Sequence, residues 1–131
     1  MELESLCPGA SRTIISEPAM PQTAIDLDHL ALQTGGDHEL ERELLALFAQ
    51  QCVRHLRTIH HGDDARTRMD AAHTLKGAAR AIGAWQVADA ADAIERHIGE
   101  TDLRRTEAAM DTLALAAADV RAVIARYDAA A

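Results

Sequence analysis

Residues 72–84 read AHTLKGAARAIGA, and this stretch decides the fold because two different helix faces run through it. At 100° per residue, four apolar side chains share one face: Ala72, Leu75, Ala79 and Ile82. His73, Gly77 and Arg80 fall on a second face, and Lys76 lies between the two. A lysine stem can lie on apolar surface while its ammonium reaches water. The pattern predicts a helix that buries one face and displays His73 outward, with two cations within one or two turns.

The segment before this stretch carries the same helical spacing of apolar residues. It predicts a long helix between an N-cap at Asp37 and a stop at residues 60–62. The side chains predicted to point inward are Leu40, Leu44, Leu47, Phe48, Cys52, Leu56 and Ile59. Asp63 or Asp64 is then the predicted N-cap of the next helix, which ends at Gly83.

Two more helices are predicted after this stretch, and a short one is predicted near the start of the chain. One begins near Trp85 and ends at Gly99, with these side chains inward: Val87, Ala90, Ala91, Ile94 and Ile98. The last begins at Thr101 or Asp102, with these inward: Met110, Leu113, Ala117, Val120, Ile124 and Tyr127. The short helix is predicted from Asp26 to about Gln33.

The connections between the predicted helices are short, and short connections make neighbouring helices antiparallel. Alanine is abundant and aromatic residues make up only 2% of the chain, a composition that favours helix over strand. We therefore expect an all-α fold: an up-and-down antiparallel four-helix bundle with a short additional N-terminal helix, over residues 23–131. Residues 1–22 contain three prolines and no sustained periodicity, so we expect a flexible N-terminal arm there.

Charge and apolar content argue against several classes of ligand. The formal net charge is −8, which disfavours binding to nucleic acid or to an anionic membrane surface. No apolar run approaches the ~20 residues needed to span a bilayer, and the N-terminus does not resemble a signal peptide. Cys7 and Cys52 lie far apart and suggest no disulfide framework. We expect a cytoplasmic protein.

His73 and the residues that follow it suit phosphoryl transfer. A neutral, sterically open imidazole can attack phosphorus, and cations such as Lys76 and Arg80 can stabilise charge on the transferring oxygens. Gly77 is informative because glycine inside a helix costs about 1 kcal/mol relative to alanine. A side chain at this position, one turn after the histidine, would crowd an incoming partner or phosphoryl group.

The sequence His73-Thr74-Leu75-Lys76-Gly77, followed by Ile82-Gly83-Ala84, resembles the signature of histidine-containing phosphotransfer (HPt) domains. That signature reads roughly His-x-Leu-Lys-Gly-x-(Ala/Ser), then a stretch similar to Leu-Gly-Ala. Ile94-Glu95 also stands where the family often has Leu-Glu. The resemblance runs from about Ala24 to the C-terminus.

The resemblance implies that His73 is phosphorylated at its outer ring nitrogen, with Lys76 and Gly77 beside it. Arg80 stands where many members have a small or amide residue, so its place in the phosphate environment is inferred from charge and geometry. We expect a monomeric phosphocarrier, without kinase activity of its own, that shuttles a phosphoryl group between receiver-domain aspartates. The implied partners are response-regulator receiver domains and a hybrid histidine kinase. No cofactor is expected on this chain, since the family's receiver domains supply the Mg²⁺.

Three other functions fit parts of this pattern. A kinase dimerisation domain also displays a helical histidine, but usually has an acidic residue next and a proline soon after, where this chain has Thr74 and no proline. A metal site is not favoured, because no paired Glu-x-x-His motifs occur. A non-phosphorylated adaptor or inhibitor of a receiver or kinase, on the same fold, stays open. So does the question of whether His55 or Gln51 supports the ring of His73.

Overall fold

The computed structural model describes residues 23–130, which form five α-helices and contain no β-strand. The helices are α1 (Leu27–Thr34), α2 (His38–His61), α3 (Ala65–Ile82), α4 (Trp85–His97) and α5 (Arg104–Ala130). The predicted flexible arm, residues 1–22, lies outside the described residues. Over the described part of the chain, the all-α prediction is confirmed.

Helices α2 to α5 form an antiparallel four-helix bundle. They are joined by connections of two to six residues, too short for anything but a reversal of direction. Helix α3 packs between α2 and α4, and α5 packs between α4 and α2, which closes the bundle. Helix α1 lies against α2 and α3. The predicted bundle with a short additional N-terminal helix is therefore confirmed. Within residues 23–130, no helix is both long and apolar enough to cross a membrane.

Aspartates begin the first three helices and glycines end all three. The side chains of Asp26, Asp37 and Asp64 each accept a hydrogen bond from the backbone N–H three residues on. These bonds satisfy donors that have no partner within the first helical turn. Gly35 and Gly83 close α1 and α3 in the left-handed conformation, with φ of 66° and 83°. The aspartates predicted as caps thus begin α1 to α3, and Gly83 ends α3 as predicted. The prediction that Gly99 ends α4 is wrong, since the C-cap is Ile98. Helix α5 begins at Arg104, whose backbone N–H donates to the Asp102 side chain.

The core consists of small and branched side chains that form one stripe along each helix. Helix α4 buries Val87, Ala88, Ala90, Ala91 and Ile94. Helix α5 buries Ala109, Leu113, Ala116, Ala117, Val120 and Ile124. Because alanine fills little space, neighbouring helices can pack closely around these stripes. The predicted inward faces of α4 and α5 are confirmed, with Met110 and Tyr127 half-buried at the ends of the α5 stripe.

The inward face of α2 differs from the prediction. Leu40 and Leu47 were expected in the core but are 38% and 49% exposed, whereas Leu45 is only 1% exposed. Glu41, which is not among the residues predicted to point inward, is only 4% exposed. Because Glu41 and Leu45 lie one turn apart on the same side of α2, burying both turns Leu40 and Leu47 outward.

Glu41 remains buried because its carboxylate is fully engaged at the junction of three helices. It accepts hydrogen bonds from the Tyr127 hydroxyl of α5 (2.7 Å) and the Thr34 hydroxyl at the end of α1 (3.1 Å). His38 Nδ1 lies 3.0 Å from the same carboxylate. The Tyr127 hydrogen bond is the main cause of a lowered pKa for Glu41, and the nearby carboxylate raises the pKa of Tyr127. A polar contact thus joins α1, α2 and α5.

The turn between α3 and α4 is closed by contact with the start of α1. The Asp26 backbone N–H donates to the Gly83 carbonyl oxygen at 2.9 Å, and the Trp85 indole N–H donates to the Asp26 carboxylate at 3.1 Å. A Cβ atom on Gly83 would lie 2.8 Å from the Asp26 carbonyl oxygen. Glycine is therefore required at this turn by its positive φ and by the close approach of another segment.

We expect Gly83→Ala to destabilise the fold by about 3 kcal/mol, from left-handed backbone strain and the clash with Asp26. Gly35→Ala is the matched control, because its φ is also positive but an added Cβ would meet nothing within 4 Å. The control should lose only about 1 kcal/mol. Chemical denaturation gives both free energies of unfolding, and equal losses would contradict the assigned contact.

We expect Glu41→Gln to lower the melting temperature at pH 7. Because folding lowers the pKa of Glu41, the ionised carboxylate adds stability above its unfolded pKa of about 4.3. This contribution is lost as the pH falls through the lower folded pKa. The difference in melting temperature between wild type and Glu41→Gln should therefore be constant above about pH 5 and shrink below pH 4.3. Glu43→Gln, on the exposed side of α2, should show little gap at any pH. A gap for Glu41→Gln that does not change down to pH 3 would refute the assignment.

Candidate functional site

Helix α3 presents His73 to solvent in the middle of its length. Leu75 and Ala79 are fully buried, and this fixes the rotation of the helix about its axis. The His73 side chain then lies on the outer face and is 66% exposed. The outward display of the histidine follows from the rotation that the apolar residues impose, as expected from the sequence.

Helix α4 supplies the hydrogen-bonding partner of His73. The Glu95 Oε2 atom lies 2.8 Å from His73 Nδ1, and the Glu95 side chain is 23% exposed. Lys76 is the main cause of a lowered pKa for Glu95, and the bond from His73 adds to it, so the carboxylate is ionised near neutral pH. An ionised carboxylate can only accept. In the neutral ring, Nδ1 therefore carries the proton, and the lone pair is on Nε2, on the other side of the ring.

Lys76 is paired with carboxylates and does not extend into water. Its side chain is only 14% exposed, and its Nζ atom lies 2.7 Å from Glu95 Oε1 and 3.2 Å from Asp92 Oδ1. The expectation that its ammonium reaches water is therefore wrong. The ion pair with Glu95 first, and the hydrogen bond to Asp92, raise the pKa of Lys76. The positive charge of Lys76 holds Glu95 in place beside the histidine.

Asp92 completes a chain of contacts between the two helices. Its second oxygen, Oδ2, accepts a hydrogen bond from Arg96 Nε at 3.1 Å. The bonds from Lys76 and then Arg96 lower the pKa of Asp92. The α3–α4 network, as we name it, consists of His73, Lys76, Asp92, Glu95 and Arg96. It pairs two cations with two carboxylates, so its four permanent charges balance.

Gly77 and Arg80 lie on the same exposed face as His73 but outside the α3–α4 network. A Cβ atom added to Gly77 would meet nothing within 4 Å, so folding does not require glycine at this position. The Arg80 side chain is exposed. The backbone carbonyl oxygen of Arg80 accepts a hydrogen bond from His29 Nε2 at 3.0 Å. Of the two predicted cations, only Lys76 is held next to His73.

His55 and Gln51, which were open candidates to support the His73 ring, are not its partners in the described structure. The Nδ1 atom of His73 is engaged by Glu95 instead. His55 is half-buried, and burial lowers the pKa of its imidazole. Gln51 lines a shallow, mainly apolar pocket of about 130 Å³ between α2 and α3, together with Leu47 and Ala81.

The spacing of residues around the α3–α4 turn could have revealed the network. His73 and Glu95 each lie 11 residues from Ala84, and Lys76 and Asp92 each lie eight residues from it. Antiparallel helices joined by a tight turn bring residues at equal distances from the turn to the same level. The resemblance pointed to Glu95 only as part of the Ile94-Glu95 pair, and neither Glu95 nor Asp92 was predicted from the sequence as a partner of His73 or Lys76.

Among residues 23–130, no three His, Cys, Asp or Glu side chains are placed to hold a metal ion together. The site consists of the exposed imidazole of His73, its acidic partner Glu95 and a lysine, Lys76, whose positive charge is balanced by carboxylates. This arrangement can present one histidine nitrogen, Nε2, as a nucleophile to a group brought by another molecule.

Comparison with known proteins places this geometry in a family. The family model described as "Hpt domain" matches residues 42–125, which include the whole of the α3–α4 network. Among solved structures, the chain is similar to histidine-containing phosphotransfer protein B (HptB) from Pseudomonas aeruginosa PAO1, with a TM-score of 0.70 and 24% identity. The match covers 79% of this chain and 92% of that one, and it shows a common fold. A comparison with curated proteins found no match. Since the family model spans well over half of the sequence, the chain belongs to the Hpt domain family, the histidine phosphotransfer proteins of two-component signalling.

Proposed function

We propose that this chain shuttles a phosphoryl group between the aspartates of receiver domains, with His73 as the carrier. The observation that carries the proposal is the hydrogen bond between Nδ1 of His73 and the ionised carboxylate of Glu95. In the neutral ring, this bond keeps the proton on Nδ1 and leaves the lone pair on Nε2, and the side chain is 66% exposed. A nucleophile in this state needs no base to remove a proton before it reacts.

The inbound step exchanges one bond for another. The lone pair of His73 Nε2 attacks the phosphorus of a receiver's aspartyl phosphate, and the bond between phosphorus and the aspartate oxygen breaks. The aspartate leaves as a carboxylate, and the proton on Nδ1 stays with the imidazole and Glu95. The receiver would contribute the Mg²⁺ that neutralises the phosphoryl oxygens, and this chain would contribute no nucleotide chemistry of its own.

The two predicted cations would have different roles. Lys76 is engaged by Glu95 and Asp92, so we assign it the task of positioning Glu95. Arg80 is exposed on the face that carries His73 and has its guanidinium available for phosphoryl oxygens or partner carboxylates. Arg80 is therefore the cation that we expect to face the partner.

The partner would cover the exposed face of α2 and α3. A specific interface buries about 800 Å² on each protein, so a partner centred on His73 extends over Gly77 and Ala81, which follow at one-turn intervals. The apolar pocket beside Ala81 would lie within this contact area. We propose receiver domains of response regulators and of a hybrid histidine kinase as partners, with this chain acting as a cytoplasmic monomer.

We expect His73→Gln to abolish labelling by a phosphorylated receiver domain in the presence of Mg²⁺. Wild type should acquire an acid-labile, base-stable label, as a phosphohistidine does, because His73 is exposed, has an acidic partner on Nδ1 and lies within the residues that match the family model. His38 is also exposed and contacts Glu41 through Nδ1, but it lies outside those residues. The matched control is His61→Gln, an exposed histidine at the end of α2, which should label like wild type. If folded wild type bound a receiver but never acquired label, the adaptor alternative would replace the proposal.

We expect Gly77→Ala to stabilise the fold but slow transfer from a receiver. Alanine is preferred to glycine inside a helix by about 1 kcal/mol, and its methyl group meets nothing within this chain. The same methyl group would contact a partner docked on His73, and a misplaced reacting group costs about tenfold or more in rate. Denaturation and transfer kinetics together check this, and phosphorylation by the small donor phosphoramidate should be almost unaffected. A variant that is stabilised and transfers at the wild-type rate would show that no partner approaches Gly77.

A further inference from the structure

The α3–α4 network also affects the outbound step, in which phosphorylated His73 donates its phosphoryl group to a receiver. This inference rests on the proposed function. We propose that Glu95 retains the proton on Nδ1 after His73 is phosphorylated, so that the phosphohistidine is a ready donor and not a long-lived store. The supporting geometry is the 2.8 Å contact between Nδ1 and a carboxylate that is only 23% exposed. A phosphoryl group on Nε2 would lie on the other side of the ring and would leave this contact intact.

The Nδ1 proton matters because it determines the charge of the leaving group when the phosphoryl group is transferred to a receiver. The outbound step breaks the bond between Nε2 and phosphorus and forms a bond from phosphorus to a receiver aspartate oxygen. The electron pair of the broken bond returns to Nε2. With the proton on Nδ1, the group that leaves is neutral imidazole. Without it, the leaving group would be the imidazolate anion, which is a far stronger base and leaves far more slowly.

Charge balance favours the protonated form of the phosphorylated ring. Once Nε2 carries phosphorus, a ring that keeps its Nδ1 proton is a cation, and Glu95 is the anion in contact with it. Lys76 keeps Glu95 charged, because the ammonium lies 2.7 Å from the other carboxylate oxygen. Because Glu95 is only 23% exposed, water screens its attraction to the ring less than it would screen two fully exposed charges.

Few other titratable groups compete for this role. The groups to consider, by their positions on α3 and on the helices packed against it, are Asp70, Lys76 and Arg80 on α3, Asp92, Glu95 and Arg96 on α4, His55 on α2 and His29 on α1. Asp70 is exposed and lies 3.7 Å from Arg66, and Asp92 is held by Lys76 and Arg96. In the described part of the chain, Glu95 is the carboxylate bound to the ring of His73.

The test measures how quickly the phosphorylated protein donates to an unphosphorylated receiver domain with Mg²⁺. Wild type, Glu95→Gln and Asp89→Asn are each loaded with phosphoramidate and freed of the reagent. Donation is then timed between pH 6 and pH 8.5. Glutamine can still accept a hydrogen bond from Nδ1 but lacks the charge. Asp89→Asn removes one charge from an exposed position of the same helix, in the groove between α4 and α5.

We expect Glu95→Gln to donate about tenfold more slowly than wild type at pH 8, and its phosphohistidine to outlast that of wild type without a receiver. The difference should shrink toward pH 6, where solvent protonates the ring. Asp89→Asn should match wild type throughout. Equal donation by wild type and folded Glu95→Gln at every pH would overturn the inference.

A second measurement needs no variant and guards against misfolding of Glu95→Gln. Nitrogen NMR of phosphorylated wild type, labelled in its histidines, should show Nδ1 of His73 protonated at pH 8, and a deprotonated Nδ1 would also overturn the inference. Failure of wild type to take up label on His73 from either phosphoramidate or a receiver is a different outcome. That outcome would contradict the proposed function itself.

Discussion

The site depends on the close antiparallel packing of α3 against α4, which the two-residue turn at Gly83 and Ala84 makes possible. This turn aligns the helices so that His73 lies level with Glu95, and Lys76 lies level with Asp92. A change of one residue in the turn would move every partner on α4 by about 1.5 Å along the axis and 100° around it. Neither the tautomer of the histidine nor the pairing of the lysine would survive such a shift. The alanines of α4 contribute to the same end, because small side chains let the helices approach closely enough for short contacts.

The same packing explains how a strongly acidic protein can present a histidine for phosphoryl transfer. Two carboxylates near the reacting nitrogen would repel an incoming phosphoryl group if they stood alone. Lys76 and Arg96 neutralise them, and one carboxylate then serves to fix the imidazole proton. Membership of the family directs attention to a lysine beside the histidine as a phosphate ligand. In this chain the described contacts of that lysine are with protein carboxylates, and its role follows from them.

Much of the fold was predictable because its signals are local. Aspartate caps, glycine stops and the apolar spacing of α3, α4 and α5 each depend on residues within a few turns of one another. The inward face of α2 was not predictable in this way. Glu41 is buried by hydrogen bonds from Tyr127 and Thr34, residues that lie on other helices. A pattern rule that places glutamate in solvent therefore rotates the predicted face and assigns Leu40 and Leu47 to the core.

The sequence by itself determined the helices, their order, the outward position of His73 and the open space at Gly77, because these follow from helical periodicity and residue size. Only the tertiary structure decided which nitrogen of His73 is free, since that depends on a carboxylate 22 positions away on another helix. It also decided that Lys76 is paired with carboxylates. The physical reason is that a charged side chain has many rotamers and several possible partners. Its choice depends on the register and rotation of neighbouring helices, which no single helix contains.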